Sequence, residues 1–96
     1  MNTASQRVTQ CQTVEYRLSG DDIAAIGYVR AQSFGHPFEA KGSAANIGDV
    51  VPLIVVKVFD SQVVSGQAVL DGNHNHWVQL ARQGDGPGCW NWPRRI

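Results

Sequence analysis

From Val50 to Phe59 the chain reads VVPLIVVKVF, apolar at odd and even positions alike except for Lys57. β-branched residues dominate this run, and turn residues bound it on both sides, so it predicts a strand rather than a helix. Pro52 belongs near the start of that strand or on an edge. A strand that is apolar on both alternating faces has to be covered on both. One face can meet a barrel or sheet core, and the other needs the helix or a second subunit.

The rest of the C-terminal half also alternates. Asp60-Ser61 predicts a turn, and Gln62–Leu70 a return strand. Val64, Gly66, Ala68 and Leu70 fall on one of its faces, with Ser65 and Gln67 on the other. Gly66 marks a bulge or the sharp bend that small barrels require. Asp71-Gly72-Asn73 is a turn. Asn75–Arg82 predicts a third strand, with Val78 and Leu80 on one face and Trp77 and Gln79 on the other. Gly84–Gly88 forms a loop, and Cys89–Pro93 closes the chain in extended form with Trp90 and Trp92 on the same side.

The N-terminal half carries one strong local signal. Residues 1–12 are polar and predict a flexible tail, and Thr13–Arg17 a short strand. Ser19 is a helix N-cap, Asp22 stands where a capping box places its acid, and Leu18 and Ile23 occupy the positions of a hydrophobic staple. Asp21 and Asp22 suit the positive end of the helix dipole. The helix runs from about Gly20 to Gln32, with Ile23, Ile26 and Val29 near one face. Gly27 weakens it and offers close packing on a sheet. Gly35-His36-Pro37 ends it, and Phe38–Asn46 reads as either a helical turn or an ordered loop. The expected architecture is one domain over residues 13–96, mainly β with one N-terminal helix (α+β). Its strands form a small antiparallel, SH3-like, partly open barrel or bent sheet with the helix over one side or mouth.

Composition narrows the function classes. Charged residues make up 17% of the 96 and formal net charge is zero. A charge content below the ~25% of average soluble domains suggests a partly covered surface and self-association as a homodimer or tetramer. Electroneutrality counts against nucleic-acid binding, which rests on phosphate neutralisation; Arg82, Arg94 and Arg95 would be its only local patch. The apolar runs are too short to span a bilayer, and residues 1–10 lack the apolar stretch of a signal peptide. A cytoplasmic location follows, with Cys11 and Cys89 as free thiols.

Candidate chemistry is sparse. The His74-x-His76 pair would share a strand face, as zinc ligands do, but only His36 or Cys89 could add a third ligand, so no metal site is expected. No nucleophile motif is present and no cofactor signature is found. Asp85 and the absence of a following lysine spoil Gly84–Gly88 as a phosphate cradle. Asp60, Asp71 and Asp85 all serve turns, so no catalytic residue is assigned. Trp77, Gln79, Trp90 and Trp92 remain as candidate ligand contacts, since indoles can line a groove for a flat or apolar molecule. The alternative is that Trp90 and Trp92 latch the tail onto the barrel while Trp77 fills space under the helix.

The segments Val51-Pro52, Ile54-Val55-Val56 and Val58-Phe59, then Leu70–Asn73, Trp77, Gly84–Gly88, Trp90 and Trp92-Pro93, together with Tyr16–Ser19, resemble a group of small uncharacterised proteins from phages, prophages and integron gene cassettes. His74-Asn75-His76 departs from that pattern. The resemblance implies a mobile-element origin and a tendency to form small homo-oligomers. Gly48–Val51 and Val78–Leu80 also resemble pieces of the plasmid-borne type II dihydrofolate reductases, tetramers of SH3-like barrels, although Ala81 stands where that family has tyrosine. The leading expectation is a non-catalytic interaction module acting as a homo-oligomer. The alternatives are a small-ligand binder or enzyme with a tryptophan-lined site at a subunit interface, and a nucleic-acid accessory protein.

Overall fold

Residues 7–32, 45–71 and 75–93 are described by the computed structural model. They form strand β1 (Thr13–Arg17), helix α1 (Gly20–Gln32), and strands β2 (Val50–Val58), β3 (Val63–Ala68), β4 (His76–Gln83) and β5 (Cys89–Asn91). The strands close a barrel in the order β1-β2-β3-β4-β5. Neighbours run antiparallel except β4 and β5, which run parallel. The small β-rich barrel with one helix is the class the pattern predicts, but it is closed rather than partly open. Closure rests on the short β5, where Trp90 pairs with Tyr16 of β1 and with Gln83 of β4. Gly88 enables the turn into it, with φ of 82°, a left-handed backbone that suits glycine, and its N–H donates to the Arg17 carbonyl.

Alternation sorts the side chains. Val14, Tyr16, Leu53, Val55, Val64, Ala68, Val78, Ala81 and Trp90 fill the interior, each at 3% exposure or less. Burial of each large apolar side chain contributes about 1.5–3 kcal/mol. The Trp90 indole N–H donates to the Gln62 carbonyl at 2.9 Å, so the one polar atom of the largest core residue is satisfied.

Two bulges break the alternation. On β2, Val55 pairs with Gly66 and Lys57 with Ser65, leaving Val56 as the extra residue. On β4, Val78 pairs with Gly66 and Ala81 with Val64, so Gln79 and Leu80 together oppose Ser65. The second bulge reverses the phase of β4. Leu80, expected on the same face as Val78, is instead 58% exposed, and Ala81 takes the inward position. Gly66 lies where both bulges meet, and a Cβ there would collide with the Ile54 carbonyl oxygen. This is the close strand approach for which the glycine is needed.

The β2–β3 turn has no glycine because Asp60 does its work. Its Oδ1 accepts the N–H groups of Gln62 and Val63 at 2.7 and 2.9 Å, an Asx turn. Residues 7–12, expected as part of a tail, are fastened to β2. Cys11 N–H donates to Val55 O, Val55 N–H donates to Gln12 O, and Val8 is buried with the core.

Helix α1 starts as its sequence dictates. Asp22 N–H donates to Ser19 Oγ, and Ser19 N–H donates to Asp22 Oδ2, a reciprocal capping box. Leu18 and Ile26 are buried, and Ile23 packs against the core. Val29, expected on the buried face, is 43% exposed, because only the first turns of the helix meet the barrel, beside β4. Gly27 has open space where a Cβ would point, so it serves no close packing. The helix sits by the end of the barrel where β1 stops and β4 begins. It does not cover the outside of β2. Gly35–Pro37 and the ambiguous segment up to residue 44 lie outside the described residues.

Candidate functional site

Two regions stand out, one polar and buried, the other apolar and exposed. The first is centred on Asp22. Its Oδ2 accepts from Tyr16 Oη at 2.5 Å, from Ser19 Oγ at 2.8 Å and from Ser19 N–H at 2.8 Å. Its Oδ1 lies 2.7 Å from His76 Nε2. Asp22 is 8% exposed. Burial alone would raise its carboxyl pKa, but the hydrogen bonds from Tyr16, Ser19 and His76 outweigh it and hold the group below the ordinary carboxylate range. Burial pushes the Tyr16 phenol well up, and its bond to the Asp22 carboxylate adds to the effect.

An Asp–His contact beside a tyrosine and a serine resembles an acid–base constellation. Its bonding makes Asp22 an anchor rather than the base itself. Both carboxylate oxygens are engaged by this chain, the serine hydroxyl is turned onto Asp22 and not toward the imidazole, and the tyrosine is held protonated. A general base has to face the proton it takes, and Asp22 faces only its own fold. The cluster ties the N-terminus of α1 to β1 and β4. His76, the second histidine of the His74-x-His76 pair, has a side chain only 13% exposed and bonded to Asp22. His74 lies outside the described residues. Among the described residues no three His, Cys, Asp or Glu side chains converge as a metal site would require, and Cys11 and Cys89 are free thiols.

The second region is the outside of β2, β3 and β4. Register places Ile54 beside Gln67 and Gln67 beside Trp77 in one row. The bulges place Val56 and Leu80 on either side of Ser65 in the next row, and Phe59 follows at the hairpin. Exposures are 41% for Ile54, 46% for Val56, 51% for Phe59, 44% for Trp77 and 58% for Leu80. The β3 residues between them are short or polar, and Ser65 is buried. The face is thus two apolar ridges flanking a lower polar floor. Its charges lie toward the hairpin end, at Lys57, which sits 5.3 Å from the Phe59 ring centroid, at Arg82 and at the exposed turn residue Asp60.

The four candidate ligand residues do not form one surface. Trp77 and Gln79 are exposed on this face. Trp90 is wholly buried, and Trp92 meets it edge to face with centroids 5.3 Å apart, so these two form the latch. Trp90 is corrected from a ligand contact to a core residue, because β5 must fill the barrel interior to close it. Trp77 lies on the outer wall rather than under the helix. Sequence reasoning weighed His76 only as a metal ligand and gave Tyr16 no role, and the bond between His76 and Asp22 spans 54 residues. Only the N3 acid of the capping box pointed to Asp22. A further shallow groove of about 280 Å³ lies between Glu15, Val50–Pro52 and Pro93 on the far side of β2. No helix among the described residues is long and apolar enough to cross a membrane.

No protein-family model, curated protein or solved structure matches the chain.

Proposed function

We propose that this protein is a non-catalytic interaction module whose working surface is the outer face of β2, β3 and β4. The observation that carries this reading is the row Ile54–Gln67–Trp77 with its neighbours Val56, Leu80 and Phe59. Exposed apolar ridges of this size on a small domain mark a contact surface, and an exposed Trp with aliphatic neighbours is typical of interface anchors. The chemistry-bearing residues support the same reading, because the buried Asp22 cluster spends its hydrogen-bonding capacity on the fold.

The test is binding of an anilinonaphthalene sulfonate dye to dilute protein, compared with an Ile54→Lys/Trp77→Lys double variant. Both side chains point outward, so circular dichroism should show an unchanged fold. The expected result is dye fluorescence with the wild type and its loss in the variant. Equal dye binding by both would remove this face from consideration.

A further inference from the structure

We infer that the occupant of this face is a second copy of the chain, packed across a two-fold axis that crosses the strands at the Ile54–Gln67–Trp77 row. The inference rests on the proposed contact face and names its partner. Two features of the surface carry it.

The first is area. With exposures of 41% to 58%, Ile54, Val56, Phe59, Trp77 and Leu80 present on the order of 500 Å² of apolar surface. Two copies face to face would cover about 1,000 Å² before any polar rim is counted, which meets the lower bound of about 1,000 Å² for a specific interface. A short peptide lying along the β3 floor would leave the outer sides of both ridges wet.

The second is symmetry of shape. An isologous contact requires a patch that complements itself. An in-plane axis across the strands reverses strand direction and returns each row element to its own kind. Ile54 meets its symmetry mate, Trp77 meets its own, and the two Gln67 amides meet between them. A primary amide both donates and accepts, so Gln67 satisfies itself across such an axis, which an acid, a lysine or an arginine would not.

The experiment uses Gln67→Glu and Gln67→Lys, since a residue on the axis meets its own charge in the pair. Light scattering coupled to size exclusion should give a dimer for the wild type, at least a tenfold weaker dimer for each variant alone, and recovery of the dimer when the two variants are mixed one to one. Trp77→Glu and Trp77→Lys form a second pair in the same row, should either Gln67 variant fail to fold by circular dichroism. A wild type that stays monomeric at millimolar concentration overturns the second-copy inference, while the dye comparison decides separately whether the face is a contact surface at all. A dimer that neither variant weakens, or that mixing does not restore, overturns the axis.

Discussion

Tyr16, Ser19, Asp22 and His76 form the most chemically loaded part of the molecule, and Ile54, Val56, Trp77 and Leu80 the blandest. Their bonding reverses the usual assignment of roles. In the buried cluster the polar groups of Asp22 are satisfied within the chain, so the cluster is architecture. On the outer wall of the barrel, large apolar side chains stand 41% to 58% exposed, and it is this wall that we propose as the contact surface. A polar site is read from what remains unsatisfied in it, and an apolar face from what remains uncovered.

Two tryptophans sharpen the contrast most. Trp90→Ala removes a fully buried side chain and is expected to cost about 3–5 kcal/mol, read as a lower midpoint in urea unfolding. Trp77→Ala, measured at concentrations where the chain is dilute, is expected to shift stability by less than about 1 kcal/mol while weakening association. Comparable losses from the two would show that Trp77 belongs to the core.

Next in size is Asp22→Ala. It leaves the Tyr16 hydroxyl and the His76 imidazole without their partner and removes half of the capping box, so about 3 kcal/mol should be lost. The same group predicts an acid dependence. The folded carboxyl titrates below its ordinary value of 3.8, so its contribution is present above the unfolded chain's pKa and is lost as pH falls through the folded one. The advantage of wild type over Asp22→Asn should be full near about pH 6 and shrink below about pH 4. At the alkaline end, the raised Tyr16 pKa favours the folded state until the unfolded phenol begins to ionise near about pH 10. In a Tyr28→Phe background, Tyr16 phenolate absorbance should appear together with unfolding rather than before it.

Most of the barrel was legible in the sequence because its signals are local. Alternation and turn residues placed β1, β2 and β3, and the Ser19–Asp22 cap placed the start of α1 at the right residue. The sequence marked β2 as apolar on both faces, and the structure turns Leu53 and Val55 inward and Ile54 and Val56 outward. What the sequence hid depends on contacts between distant residues. The bulge opposite Ser65 exists because β4 has to bend around the barrel, so the inward reading of Leu80 failed there. The Asp22–His76 bond joins a helix start to a strand that is remote in sequence. Trp90 stayed open between a ligand contact and a tail latch because nothing local announces that β5 closes the barrel. Half of the proposed face, on β2, was therefore visible from the pattern, and the half on β4 was only partly so.

The smallest effect concerns the helix. Gly27 has open space around its missing Cβ, so Gly27→Ala should stabilise the protein by about 0.5–1 kcal/mol. A loss of stability there would mean that the helix packs more closely than its exposed Tyr28 and Val29 indicate.

Hydroxyl-radical footprinting over a range of protein concentrations tests the contrast between the two regions most directly. Oxidation of Ile54, Trp77 and Leu80 should fall together as concentration rises, while Tyr16 and His76 stay equally protected throughout. Oxidation of Trp77 and Leu80 that is independent of concentration, in protein that light scattering shows to be associated, would place the contact elsewhere and contradict the account.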